Sequence, residues 1–112
     1  MTFEPFDVVV LPFPFTDKST TKSRPALIIS SADFNDRHDQ YLLAMITSAR
    51  HSEWPSDVRL QDWRAAGLSV ACRVRLKLFT LDKAVVLRGV GALTTHDRGA
   101  VARALSECIA AV

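Results

Sequence analysis

Two short apolar runs constrain the fold of this chain more than any other feature. They are Pro25–Ser30 (PALIIS) and Tyr41–Ile46 (YLLAMI). Apolar runs of this length between polar loops are typical of buried β-strands. Arg24 stands at the entrance to the first run, and Thr47 and Ser48 follow the second. If the two strands are neighbours, these polar groups converge on one sheet edge, where they could bind a phosphodiester.

The remaining segments predict a small antiparallel β-protein. No strand–helix–strand rhythm is present, so a parallel sheet is not expected, and a strongly bent barrel covered by one terminal helix fits the pattern. Further strands are expected at Phe6–Leu11, Asp57–Leu60, Val70–Leu81 and Ala84–Leu93, the last two joined by a tight turn near Asp82-Lys83.

The connecting segments carry turn and helix signals. Ser31–Gln40 is polar and Asp-rich, and we expect a turn or short connector there. Gln61–Ala66 suits one or two helical turns that stop at Gly67. Thr94 is expected to cap the terminal helix, whose apolar positions are Val101, Leu105, Cys108, Ile109 and Val112.

Length and composition predict one domain over residues 1–112. The chain is 48% hydrophobic and 23% charged, which is ordinary for a soluble globular protein. No apolar run is long enough to span a bilayer and no signal peptide is recognised, so we expect no membrane association and a cytoplasmic location. Cys72 and Cys108 are isolated, which predicts reduced, mostly buried thiols and neither a metal site nor a disulfide.

Basic residues alternate along the Val70–Leu81 segment. Arg73, Arg75 and Lys77 are expected on one strand face, with aliphatic residues on the other. Like charges in such a row repel one another, and a nucleic-acid backbone would relieve that cost. A solvated outer face with acidic cross-strand neighbours is an equally open interpretation.

Other residues near the predicted edge offer weaker signals. The polar loop Thr16–Ser23 is expected to be mobile and to close over a ligand, and it brings Lys22 close to Arg24. His51 lies in a loop near Thr47 and could reach the same site. Trp54 and Trp63 could stack on unpaired bases, although a core position is favoured for Trp63. Taken alone, Arg24 also fits an ordinary surface arginine, and Thr47-Ser48 a backbone-bonded strand end.

Five blocks of the sequence and its closing helix resemble the MazF/PemK-type toxins, and the last block and the helix resemble their growth-inhibitor branch. The resemblance extends from about Phe6 to Ala110. Its blocks are Asp7–Val10 (DVVV), Pro12–Asp17 (PFPFTD), Ser23–Ser30 (SRPALIIS), Leu43–Ser48 (LAMITS) and Arg75–Lys83 (RLKLFTLDK).

The resemblance implies a mainly β, SH3-like small antiparallel barrel with a C-terminal helix, of the MazF/PemK/CcdB type, that forms a homodimer. It implies the toxin half of a type II toxin–antitoxin pair, bound by a cognate antitoxin protein. The implied activity is cleavage of single-stranded RNA without metal or cofactor, by attack of the ribose 2′-hydroxyl on the adjacent phosphate.

The resemblance also assigns residues. The family's catalytic arginine corresponds to Arg24 and its catalytic threonine to Thr47, with Ser48 as an auxiliary. Substrate binding would fall to Ser48 and to five other residues of this chain, which are Lys22, His51, Arg73, Arg75 and Lys77.

Two departures from the family pattern leave alternatives open. Phe6 stands where a glycine is common, and Leu76-Lys77 stand near the positions of a usual Asp-Gln pair. One alternative is a non-catalytic toxin on the same barrel that inhibits a protein target such as DNA gyrase. Another is an RNA-binding regulator without turnover.

Overall fold

Six antiparallel strands form one sheet in the computed structural model, which describes residues 2–13 and 22–110. Their order across the sheet is β4-β5-β3-β2-β1-β6. The fold predicted from the sequence, mainly β with a C-terminal helix, is confirmed. The strands are β1 (Asp7–Phe13), β2 (Lys22–Ile28), β3 (Gln40–Ser48), β4 (Val58–Arg59), β5 (Cys72–Asp82) and β6 (Arg88–Ala92); the helices are α1 (Ala32–His38) and α2 (Thr95–Cys108).

The central strands are buried on both faces of the sheet. In β2, Leu27 points into one apolar cluster, while Ala26 and Ile28 point into the other. Val101 of α2 belongs to the Leu27 cluster and is fully buried. Because both faces are covered, these strands read as continuous apolar runs and not as an alternation of apolar and polar residues.

The two edges of the sheet, at β4 and at β6, are brought together by the turn that follows β4. The turn that follows β4 packs its backbone on β6, so closely that a Cβ on Gly67 would lie 2.1 Å from the carbonyl oxygen of Val90. A Cβ on Gly91 would lie 2.4 Å from the carbonyl oxygen of Ala66. Gly67 also has a φ of 87°, which favours glycine. The sheet is therefore curled into a half-barrel.

The segment expected to be a connector, Ser31–Gln40, contains α1, so that expectation is wrong. The Ser31 side chain caps the helix by accepting a hydrogen bond from the Phe34 amide at 3.2 Å. Asp39 ends it with a left-handed φ of 51°. Buried Asn35 accepts a hydrogen bond from the Ser30 hydroxyl, which anchors the helix to the end of β2.

The strand after Asp82 does not fold back on β5. A 3-10 turn, Lys83–Val85, leads the chain to the other end of the sheet, where β6 pairs with β1. The Leu87 amide then donates to the Val10 carbonyl at 2.9 Å. The tight turn predicted near Asp82-Lys83 is therefore present, but the strand after it begins at Arg88 and not at Ala84, and it pairs with β1 because β3 and β4 already flank β5.

A buried carboxylate joins α2 to the turn after β4. Asp97 is 1% exposed and accepts hydrogen bonds from the amides of Gln61 and Asp62 at 3.0 and 2.8 Å. Residues 61–62 form bends and residues 63–67 form turns, where one or two helical turns were expected. Thr94 caps α2 as predicted, accepting from the Asp97 amide at 3.5 Å.

The sequence predicts that both cysteines are mostly buried, and this holds for only one of them. Cys72 is buried as expected, but Cys108 is exposed, because it lies in the last turn of α2 beyond the apolar contacts of that helix. No helix within residues 2–13 and 22–110 is long and apolar enough to cross a membrane.

Candidate active site

Arg24 and Thr47 lie just beyond the paired part of β2 and β3, at the same end of the sheet. Ala26 pairs with Met45 and Leu27 with Ala44, and continuing this antiparallel register by two residues brings Arg24 to Thr47. On its other side, Thr47 pairs with Arg73 of β5. Because cross-strand partners share a sheet face, Thr47 shares its face with Arg73, and Arg24 approaches the threonine from the β2 side.

A cavity of about 330 Å³ opens at this end of the sheet. Five of the eight residues predicted to act on or bind a substrate line it, and Arg73, Arg75 and Lys77 do not. Its walls come from the start of β2, the end of β3, the loop after β3 and the segment before β5. The lining residues are Lys22, Ser23, Arg24, Pro25, Ile46, Thr47, Ser48, His51, Leu68, Ser69, Val70 and Cys72.

The polar groups of the cavity suit an anion. None of its described lining residues is acidic, and within residues 2–13 and 22–110 no carboxylate forms an ion pair with Arg24. Arg24 and Thr47 are half-buried, while Lys22 and His51 are exposed at the rim. A guanidinium and a hydroxyl side by side can each donate to a phosphate oxygen.

Ser48 has a local partner. Its hydroxyl oxygen accepts a hydrogen bond from the Arg50 amide at 3.2 Å, as a backbone-bonded strand end would. The hydroxyl hydrogen can still be donated into the cavity. The adjoining loop begins with a bond from the His51 amide to the Ser48 carbonyl at 3.1 Å, which brings the imidazole to the rim.

Two of the three residues of the basic row on β5 are paired with one buried carboxylate. The Arg75 guanidinium donates to both oxygens of Asp57, at 3.1 and 2.8 Å. The Nε of Arg73 lies 3.3 Å from Asp57 Oδ2. Of the two interpretations of the basic row, the structure therefore supports an acidic neighbour for Arg73 and Arg75. Arg73 is only 3% exposed, so it has no surface to offer a phosphate. Lys77 is exposed.

Arg73 instead holds the loop at the cavity rim. Its Nη1 donates to the Ala49 carbonyl at 3.2 Å, and its Nη2 donates to the carbonyl of His51.

Burial by itself would raise the pKa of the Asp57 carboxyl. The hydrogen bonds from Arg75 and the Trp54 backbone, with the charges of both arginines, outweigh that effect and lower the pKa. The same carboxylate raises the pKa of Arg75.

Asp57 is the residue of this region that sequence reasoning missed. The sequence predicts only the start of a short strand at Asp57, whereas its side chain is fully buried beside Arg73 and Arg75 of β5. The available signal was the basic row itself, since three like charges in register require a counter-charge.

Cys72 lines the cavity but does not have the character of a nucleophile. Burial raises the pKa of its thiol, which favours the protonated form, and Sγ donates to the Val70 carbonyl at 3.2 Å.

Within the described part of the chain, no group of three His, Cys, Asp or Glu residues is arranged to hold a metal ion. The predicted mobile loop lies outside the described residues, apart from Lys22 and Ser23 at the start of β2.

Comparison with known proteins identifies the family. Residues 4–109 match the family described as PemK-like, MazF-like toxins of type II toxin–antitoxin systems. The chain belongs to this toxin family. No match was found among curated protein sequences.

Solved structures of MazF-type proteins share the fold of this toxin. A mycobacterial endoribonuclease in complex with its cognate antitoxin superposes with a TM-score of 0.73 at 16% identity, covering 94% of this chain and 90% of that one. A MazE–MazF structure from Deinococcus radiodurans gives 0.72 at 21% identity, covering 96% of both chains. A Mycobacterium tuberculosis MazF toxin gives 0.71 at 19% identity, covering 90% of this chain and 93% of that one.

Proposed function

We propose that this toxin is an endoribonuclease that cleaves single-stranded RNA, including mRNA, without a metal ion. The observation that carries the proposal is the meeting of Arg24 and Thr47 at one cavity whose described lining contains no acidic residue. The ribose 2′-hydroxyl oxygen attacks the adjacent phosphorus, and the bond from phosphorus to the 5′ oxygen breaks. The products are a 2′,3′-cyclic phosphate and a 5′-hydroxyl.

Arg24 supplies electrostatic stabilisation in this proposal. Its guanidinium stays charged at any working pH and matches two non-bridging phosphate oxygens, on which negative charge builds as the 2′ oxygen attacks. Because its own proton is held so tightly, charge stabilisation is a better role for Arg24 than proton donation. Thr47 donates its hydroxyl hydrogen to a phosphate oxygen, and Ser48 assists it.

The proton balance needs a group that can exchange a proton near neutral pH. One proton leaves the 2′-hydroxyl and one must reach the 5′ oxygen. His51 lies on the cavity rim, and a ring nitrogen of an imidazole can accept or donate a proton. Lys22, also exposed at the rim, binds the flanking phosphate.

We extend the proposal to partners. The toxin binds a cognate antitoxin protein, forms a homodimer and acts on RNA in the cytoplasm. The support for an antitoxin is the family itself, together with the solved complexes of a mycobacterial endoribonuclease with its antitoxin and of MazE with MazF.

The test is incubation of the purified toxin with a long single-stranded RNA in excess EDTA. We expect discrete fragments with 5′-hydroxyl ends from the wild type and from Arg103→Ala, an exposed arginine on α2. Arg24→Ala, shown to be folded by circular dichroism, should leave the RNA intact. Fragments from this variant at the wild-type rate would remove Arg24 from the mechanism.

Two other outcomes would replace the proposal. RNA that stays intact with the wild type, together with inhibition of DNA supercoiling by gyrase, would indicate a non-catalytic toxin on the same fold. RNA that is retained by the protein but recovered intact would indicate a regulator without turnover.

A further inference from the structure

The two tryptophans of the chain lie in different surroundings. Trp63 is half-buried and packs against the core, with the Arg64 guanidinium 4.6 Å from its ring centroid. Trp54 lies in the loop between β3 and β4, outside both apolar clusters, and is 39% exposed. An exposed indole that does not contribute to the core is available to a ligand.

The loop fixes the position of Trp54. Its amide donates to Asp57 Oδ2 at 3.0 Å, and the Asp57 amide donates back to the Trp54 carbonyl at 3.1 Å. Arg75 Nη2 donates to the Ser52 carbonyl at 2.6 Å. A ring whose backbone is already ordered loses little entropy when a ligand stacks on it.

Cations surround the indole. The Arg75 guanidinium lies 4.9 Å from the ring centroid and the Lys77 ammonium 5.9 Å from it. Asp57 is the carboxylate paired with Arg75, while exposed Lys77 forms no ion pair within residues 2–13 and 22–110 and leaves a positive charge beside the ring. An aromatic ring in a positive groove is the usual combination in proteins that bind single-stranded nucleic acid.

Trp54 is close to the cavity along the chain. His51 lines the cavity and precedes Trp54 by three residues, so their Cα atoms are at most about 11 Å apart. A nucleic-acid strand with one phosphate in the cavity can therefore place a neighbouring base on the indole.

We propose that Trp54 is a base-stacking subsite for the RNA strand that occupies the cavity. The base stacks on the exposed part of the indole, and Lys77 binds the adjoining phosphate. Every base has a π-face, so this contact adds affinity without selecting a sequence. The inference rests on the proposed function, because it takes RNA as the ligand of the cavity.

The test measures binding apart from cleavage. A mixed-sequence single-stranded DNA oligonucleotide is titrated as an uncleavable probe, since it has no 2′-hydroxyl to attack the phosphate. In Trp63→Phe protein, Trp54 is the sole tryptophan, and we expect saturable quenching of its fluorescence. Trp54→Ala should weaken binding by about 5- to 150-fold, and Trp54→Phe by less, because it keeps an aromatic face. Leu87→Ala, which removes another exposed apolar side chain, should not change the affinity.

The outcomes separate this inference from the proposed function. Quenching of Trp54 with no cleavage of RNA by the wild type would remove the nuclease and keep the subsite. Cleavage by the wild type with unchanged oligonucleotide affinity in Trp54→Ala would overturn the subsite and keep the nuclease. Absence of binding would overturn the subsite as well. Quenching by poly-glutamate but not by the oligonucleotide would instead assign Trp54 to an acidic protein partner and also overturn the proposal.

Discussion

Arg24 and Thr47 line one cavity, two residues beyond the last pair of the β2–β3 ladder. Arg24 precedes the buried residues Ala26–Ile28 of β2, and Thr47 follows buried Ile46 of β3, so the packed parts of the two strands hold both residues in place. Arg73, on the other side of Thr47, is paired with Asp57, whereas Arg24 pairs with no carboxylate of residues 2–13 and 22–110. Of the two arginines that flank the threonine, only Arg24 offers its charge to the cavity.

Thr47→Val should lower the rate of RNA cleavage by about 10- to 150-fold. Valine has nearly the shape of threonine but lacks the hydroxyl, and a hydrogen bond to a charged group contributes about 1.5–3 kcal/mol. Thr47→Ser keeps the hydroxyl and should stay within a few-fold of the wild type. Single-turnover cleavage of a labelled RNA measures both rates, with thermal unfolding as the control. Equal rates for Thr47→Val and the wild type would show that the hydroxyl does not act.

Asp57→Asn should lower the free energy of unfolding by about 3–5 kcal/mol, because it leaves two arginines without their buried counter-charge. Asp36→Asn is the matched control. Asp36 lies 3.4 Å from Lys83 but its carboxyl is 69% exposed, so its loss should cost less than about 1 kcal/mol. Urea unfolding of the three proteins measures the difference, and equal costs for the two substitutions would contradict the burial argument.

The wild type should also lose stability in acid through Asp57. Because the folded state lowers the pKa of this carboxyl, its contribution is fully present above about pH 5 and is lost as pH falls through the lowered pKa. Asp57→Asn should therefore show a flatter dependence of stability on pH below that point. Urea titrations at several pH values test this, and parallel profiles for the two proteins would refute it.

Gly91→Ala and Gly99→Ala should have opposite effects on stability. A Cβ at position 91 would collide with the backbone of Ala66, so the contact that curls the sheet must open. A Cβ at position 99 meets no atom within 4 Å, and alanine in a helix is favoured over glycine by about 1 kcal/mol. Thermal unfolding should show a lower midpoint for the first and a higher one for the second. A stabilised Gly91→Ala protein would contradict the close packing of this turn on β6.

The sequence was sufficient to predict the strands that carry Arg24 and Thr47, because apolar runs and their polar ends are local signals. The pairing of distant segments was not predictable in the same way. The pairing of β6 with β1 depends on which edge of the sheet is free. The part of the cavity wall formed by residues 68–72 depends on the turn after β4, which leads the chain there. Asp57 is also outside the reach of a local pattern, since its partners are on another strand.

The pairing of Val8 with Gly91 has a consequence for biosynthesis. Contacts between distant parts of a chain form slowly, because a long loop must close first. On the ribosome, every described residue that lines the cavity has been synthesised once Cys72 is added, but β1, which supports β2, keeps an open edge until β6 follows. Translation of the cavity residues and assembly of a working cavity are thus separate events in time.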